Sequence, residues 1–195
     1  MNPSTSRAEE ALQALREGNR RFATGQAIHP HQDATRREEV LPGQRPFAAL
    51  LACSDSRVPP EVIFDRGVGD LFVVRTAGHV VDDVALGSIE YAVEHWQVPL
   101  LVVLGHTRCG AVTAALHGDE APGHIAAVIR AILPAVREAR GLPGDPLSNA
   151  IDAHVRRVVA HLRAVAPLLA EREHTGTLHI VGARYNLESG EVDWL

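Results

Sequence analysis

The sequence predicts an α/β fold, a single domain built on a central, mostly parallel β-sheet flanked by helices, with an N-terminal helical arm. Two apolar runs, "FAALLACS" and "PLLVVLGHT", show no polar alternation, as expected of strands covered on both faces. Helix-patterned segments separate the strand-like runs, which is the order of crossover connections in a parallel sheet. With 195 residues, 46% of them hydrophobic, the chain can bury one substantial core and is short for two. The arm is expected over residues 1–46 and the α/β domain over residues 47–195, as one structural unit.

Taken in order, "SRAEEALQALREGNRRFATG" carries apolar residues at Ala11, Leu12, Leu15 and Phe22, an amphipathic stripe that Gly18 interrupts late. That stripe needs a surface, on its own chain or on a neighbour. Residues 28–46 are polar and contain proline, and read as a connection. "FAALLACS" is the first strand and ends at Cys53. "EVIFDRG" reads as a short helix or turn, residues 71–76 as a strand, and residues 84–96 as a helix. "PLLVVLGHT" is the next strand, with His106 just past its end. "CGAVTAALHG", "GHIAAVIRAILPAVREARG" and "SNAIDAHVRRVVAHLRAVAPLLAERE" read as three helices punctuated by Gly, Pro and Asn. The tail "TLHIVGARYNLESGEVDWL" reads as a strand, a turn at "ESGE" and a short second strand.

Composition excludes several classes of function. A formal net charge of −5 gives no general attraction to a nucleic-acid backbone, and aromatic residues at 4% leave few stacking platforms. The apolar runs fall short of the roughly 20 residues a membrane-spanning helix needs. The first residues, "MNPSTSRAEE", lack the pattern of a signal peptide, so a cytoplasmic location is expected, with no membrane and no nucleic acid among its partners. Two cysteines in such a chain read as free thiols or metal ligands rather than as a disulfide.

Chemistry concentrates in "CSDSRV" (residues 53–58) and "GHTRCGA" (residues 105–111). In open parallel sheets, functional residues gather beyond the carboxyl ends of the strands, where strand order reverses. Cys53 and His106 both lie at such ends. His106 and Cys109 are three residues apart where a strand feeds a helix, so both can face one ion. With Cys53 they form a Cys2His set, the mixture of soft sulfur and imidazole nitrogen that suits zinc and leaves a fourth position open. The competing reading is two buried cysteines filling a core beside a loop-capping histidine. Asp55 lies close enough to Cys53 to take the fourth position itself, in a closed state, unless Arg57 holds its carboxylate through paired N–H groups. Two thiolates neutralise a zinc ion, so water on it needs help to ionise, and an acceptor such as Asp55 can orient that water.

Other chemistries fit less well. A phosphatase-type cradle needs a longer loop before its arginine. There is no C-x-x-C pair, no G-x-x-x-x-G-K-[ST] loop and no G-x-G-x-x-G turn. A Cys53–His106 nucleophile pair would leave Cys109 idle.

The two motifs, with "GDLFVVRTAGH" and "GSIEYAVEH" between them, resemble the β-class carbonic anhydrases from about residue 47 to residue 192. "CSDSRV" is similar to that family's C-x-D-x-R motif and "GHTRCGA" to its H-x-x-C-G motif. The resemblance implies Cys53, His106 and Cys109 as ligands of one Zn2+ per chain, with Asp55 and Arg57 as the catalytic dyad. It also implies reversible hydration of carbon dioxide to bicarbonate and a proton by attack of zinc-bound hydroxide, and a homodimer or larger even assembly in which the N-terminal stripe covers a neighbour. Hydrolysis of carbon disulfide or carbonyl sulfide, or a non-catalytic zinc interaction module, are the alternatives.

Several positions are expectations of their own. Relatives that hold inhibitory bicarbonate use a tryptophan, an arginine and a late tyrosine; here Leu50 replaces the tryptophan, while Arg75 and Tyr185 match the others. Arg66 stands where many relatives carry glutamine and is expected at the site entrance or in solvent. Gly110 either brings an amide to the metal-bound oxygen or relieves crowding at a helix start. Val58, Val80 and Leu86 are expected in an apolar wall or in the core. His79 is either a proton relay or, as favoured, a hydrogen-bonded structural histidine.

Overall fold

The computed structural model describes residues 3–118 and 121–195. Helices α1 (Pro3–Ala23) and α2 (Ala34–Glu39) precede strand β1 (Ala48–Cys53). Next come α3 (Pro60–Ile63), β2 (Leu71–Thr76), a 3₁₀ turn (Ala77–His79), α4 (Asp83–Trp96) and β3 (Leu100–His106). Helices α5 (Gly110–His117), α6 (Ile125–Ala139), α7 (Pro146–Val165) and α8 (Pro167–His174) lead to β4 (His179–Tyr185) and β5 (Val192–Trp194).

The five strands form one sheet in the order β2-β1-β3-β4-β5. The first four are parallel, and only β5 runs antiparallel, paired with β4. The chain leaves β1 to build β2 on one side, then crosses to build β3 on the other. Strand order therefore reverses between β1 and β3, and the crevice above their carboxyl ends is open to chemistry.

Alternate residues of β1 enter different cores, which is why the strand is apolar throughout. Ala49 and Leu51 join Ile89, Leu101, Val103, Val155 and Leu162 on the face covered by α4 and α7. Ala48, Leu50 and Ala52 join Leu15, Ile63, Phe64 and Leu104 on the face covered by α1 and α3. A third cluster joins Cys53 and Cys109 to Val112, Ile132 and Ile151, so both thiols sit within the α5–α6–α7 packing. Each fully buried leucine or isoleucine in these layers contributes about 1.5–3 kcal/mol of transfer free energy.

Three features depart from the sequence reading. Residues 34–39 are helical within the segment expected to be a connection. Asp33 caps that helix by accepting from the Arg36 amide, and α2 buries no side chain, so no apolar period marked it. The long C-terminal helical pattern is two helices. Pro167 forces Ala166 out of helical geometry (φ −112°, ψ 88°), which ends α7 and restarts the chain as α8. The stripe of α1 is met by its own chain: Ala8, Ala11 and Leu15 are buried, and the helix continues through Gly18.

Under α1, Asp65 and Asn19 are buried with partners from the chain. Asp65, 2% exposed, accepts from Arg21 Nε at 2.6 Å and from the amides of Ile28 and His29 at 3.2 and 2.9 Å. The Asn19 amide donates to the carbonyls of Ile63 and Gly190, and its oxygen accepts from the Val192 amide. No helix among the described residues is long and apolar enough to cross a membrane.

Candidate metal centre and active site

Three side chains meet at the carboxyl ends of β1 and β3. Cys53 is the last residue of β1, His106 the last of β3, and Cys109 the residue before α5. One ligand atom from each lies within 4.8 Å of the others, and all three residues are buried. The adjacent pairing of β1 and β3 (Ala52 opposite Leu104) brings residues far apart in sequence to one point.

His106 Nδ1 lies 2.9 Å from the Thr107 carbonyl oxygen. A carbonyl only accepts, so Nδ1 carries the proton and Nε2 presents a lone pair. That Nε2 is buried and has no hydrogen-bond partner. A buried acceptor without a partner, aimed at two sulfurs, is costly in a metal-free chain and is what a metal ion would satisfy. The donor set fits zinc.

The two sulfurs already share their environment unequally. A hydrogen bond from Cys109 outweighs burial, and with the Asp55 and Gly78 amides it lowers the Cys53 pKa to about 4. The amide nitrogens of Asp55 and Gly78 lie 3.4 and 3.3 Å from Cys53 Sγ. The same contact with Cys53, together with burial, pushes the Cys109 thiol up. The two thiols are thus pushed in opposite directions by their shared contact, and any proton the pair holds would leave on metal binding.

Asp55 and Arg57 form a bidentate pair. Arg57 Nε donates to Oδ1 at 2.9 Å and Nη2 to Oδ2 at 2.7 Å, and the Arg57 amide adds a third bond to Oδ1 at 3.0 Å. Arg57 thus holds the Asp55 carboxyl well below the usual carboxylate range. Oδ2 is 3.8 Å from His106 Nε2, so the carboxylate borders the metal pocket while engaged by arginine. Arg75 fixes the loop from behind by donating to the carbonyls of Cys53 at 3.0 Å and Asp55 at 2.6 Å. Its position near the end of β2, opposite Ala52 of β1, is the sequence-level signal for that role.

The remaining expectations divide. Leu50 is fully buried, and Tyr185 is 5% exposed with its ring against Phe22, 6.4 Å between centroids. Arg66 is half-buried, with its guanidinium turned under α1. It donates to the Ala14 carbonyl of α1 and lies over the Phe47 ring at 5.2 Å. A Cβ at Gly110 would meet nothing within 4 Å, so crowding within the chain does not require that glycine. Val58 packs in the α1 face, Leu86 against the α4–α7 face and Val80 beside the cysteines, so the three form no common wall in this chain. His79 is fully buried, but neither ring nitrogen has a hydrogen-bond partner, contrary to the expected hydrogen-bonded ring. Burial, then the imidazoles of His154 and His106, hold its pKa well below the ordinary histidine value.

A family model described as carbonic anhydrase matches residues 48–192, from β1 to β5. The chain belongs to the β-class carbonic anhydrases. It is 46% identical over 186 residues to carbonic anhydrase 2 of Mycobacterium tuberculosis, covering 93% of this chain and 90% of that protein. Carbonic anhydrase of Mycolicibacterium smegmatis is 43% identical over 187 residues, covering 94% of this chain and 91% of that one. Among solved structures, a Coccomyxa β-carbonic anhydrase superposes with a TM-score of 0.75 at 28% identity, over 92% of this chain and 83% of that chain. A Sordaria macrospora enzyme, described as tetrameric, gives 0.72 at 25% identity, over 82% and 85% of the two chains. Carbon dioxide hydration is the activity of this family, zinc its metal, and its members are lyases.

Proposed function

We propose that this chain hydrates carbon dioxide reversibly to bicarbonate and a proton, with one zinc ion held by Cys53 Sγ, His106 Nε2 and Cys109 Sγ. The observation that carries this reading is the unpartnered buried Nε2 of His106 facing two sulfurs beside an arginine-held carboxylate. Zinc, when bound, supplies a Lewis acid that makes water acidic enough to yield a nucleophile near neutral pH.

The rest falls to the chain's own residues. Arg57 holds Asp55 ionised and oriented, so that Oδ2 can accept a proton-side hydrogen bond from the reacting water and fix which lone pair faces the substrate. Pairing with Arg57 also keeps that carboxylate from turning onto the metal ligands, which supports an open arrangement. The amides of Asp55 and Gly78 favour Cys53 as a thiolate before metal arrives. Gly110 opens α5 next to Cys109, and its amide is a candidate hydrogen-bond donor toward a product oxygen. Burial of His79 argues against a proton relay through its ring, so protons leave by way of buffer.

Two further parts of the reading concern setting. The free, buried thiols support a reducing, cytoplasmic compartment. Partly buried apolar side chains along the edge strand β2, with Tyr91 48% exposed beside Phe72, support a homodimer or larger even assembly. Stopped-flow carbon dioxide hydration from neutral to mildly alkaline pH, with metal content measured on the same samples, tests the activity. Fast turnover with one zinc per chain is expected. Stoichiometric zinc without turnover at any pH would overturn it.

A further inference from the structure

We propose that His154, on α7, is a positioning residue for the metal centre: it holds the backbone at Gly78 so that the Gly78 amide donates to Cys53 Sγ. The inference rests on the reading of Cys53 as a metal ligand and concerns a residue remote from both sequence motifs.

His154 Nε2 lies 2.9 Å from the Gly78 carbonyl oxygen, and the His154 residue is 3% exposed. Because the carbonyl only accepts, Nε2 is the protonated nitrogen. On the other side of the same residue, the Gly78 amide nitrogen is 3.3 Å from Cys53 Sγ. One residue thus links a helix 76 positions downstream to the sulfur at the end of β1.

The backbone at this link is not one the chain adopts without support. Gly78 (φ 62°) and His79 (φ 44°) both have positive φ, and His79 is not glycine. A Cβ at Gly78 would lie 2.8 Å from Ile132 Cδ1 and 3.1 Å from Ala111 Cβ, so any other residue there would have to push these side chains aside as well as hold a positive φ. The His79 ring, with no polar partner of its own, packs against the His154 ring at 4.5 Å between centroids. His154 is therefore a polar anchor for a strained turn, and the turn's product is an N–H aimed at a sulfur. An N–H donated to a ligand sulfur fixes its orientation, and residues that orient a ligand from behind tune affinity for the metal.

Zinc affinity, read by competition with a chromophoric chelator, and the thiolate-to-cobalt charge-transfer band of the cobalt-substituted protein test this in wild type, His154→Phe and His154→Gln. H154F keeps a flat ring and loses the donor; H154Q loses the ring and keeps an N–H for the Gly78 carbonyl. Zinc binding about tenfold weaker in H154F with a displaced cobalt band, and near wild type in H154Q, is expected. Unchanged affinity and band in H154F, or H154Q weaker than H154F, would overturn the proposal, because shape rather than the donor would then matter. Should H154F fail to fold by circular dichroism, His154→Leu set against H154Q carries the same comparison. A wild type that takes up no zinc overturns the metal-site reading and this proposal together; zinc uptake with H154F unaffected overturns this proposal alone.

Discussion

Asp65 and Asn19 beneath α1 and the Cys53, His106 and Cys109 group at the ends of β1 and β3 are all buried, and they differ in whether the chain supplies their partners. Asp65 has a guanidinium and two amides, and Asn19 uses its oxygen and its amide on three backbone groups. At the strand ends, His106 Nε2 has no partner and faces two buried sulfurs. Burying polar groups is costly in both places. Asp65 and Asn19, with partners from the chain, hold structure; the Cys53, His106 and Cys109 group, with one nitrogen left unpartnered between sulfurs, is open to a ligand from outside. The contrast can be broken by substitution on either side.

The largest effect is expected from His106→Ala or Cys53→Ala. Either should abolish stoichiometric zinc by metal analysis and lower hydration at least about a thousandfold, about 4 kcal/mol of transition-state stabilisation. The metal-free variants should remain folded by circular dichroism, because the two principal cores are built without the metal ligands. Asp65→Asn is the mirror experiment. It leaves a buried site short of its charge and should cost about 3 kcal/mol in denaturant unfolding, with zinc content and turnover per folded molecule unchanged. Third in size is Asp55→Asn, which keeps the shape and loses the charged pair with Arg57. Zinc should stay at one per chain while hydration falls about 10- to 100-fold by stopped flow. Full activity in Asp55→Asn would separate the dyad from the chemistry.

The two clusters also differed in how far the sequence disclosed them. The metal centre was legible because its parts fall at two recognisable places, the ends of two continuous apolar strands, and sulfur with imidazole is a restricted vocabulary. The sheet was legible for the same reason: β1 and β3 are apolar on both faces, and little else places such runs between helices. The cluster under α1 was silent, since Asn19 meets Gly190 and Asp65 meets Arg21 only once tertiary packing has formed. Helix α2 was missed because an exposed single turn and a half carries no apolar period, although Asp33 marked its start. The bent turn at Gly78 and His79 was also out of reach. Positive φ at a histidine depends on what α5, α6 and α7 press against it, and the expected hydrogen-bonded ring became an unpartnered one stacked on His154.

The smallest expected effect comes from Arg21→Gln, which asks what holds Asp65. Burial raises the Asp65 pKa, but the hydrogen bond from Arg21 and the amides of Ile28 and His29 outweigh it, and the net shift is downward. The folded pKa therefore lies below the unfolded value of about 3.9, so the stabilisation is complete above that pH and is lost as pH falls through the folded value. Removing the guanidinium moves the folded pKa up toward the unfolded one, so the acid unfolding midpoint should shift to higher pH. At neutral pH the loss should be only about 1 kcal/mol, for two reasons. Both amides remain on the carboxylate, and Arg21 repels the half-buried Arg66, whose pKa burial and Arg21 together lower. Acid titrations of wild type and R21Q monitored by circular dichroism decide the matter. An unmoved midpoint would mean that the amides alone hold Asp65, and that this cluster is completed by backbone rather than by charge.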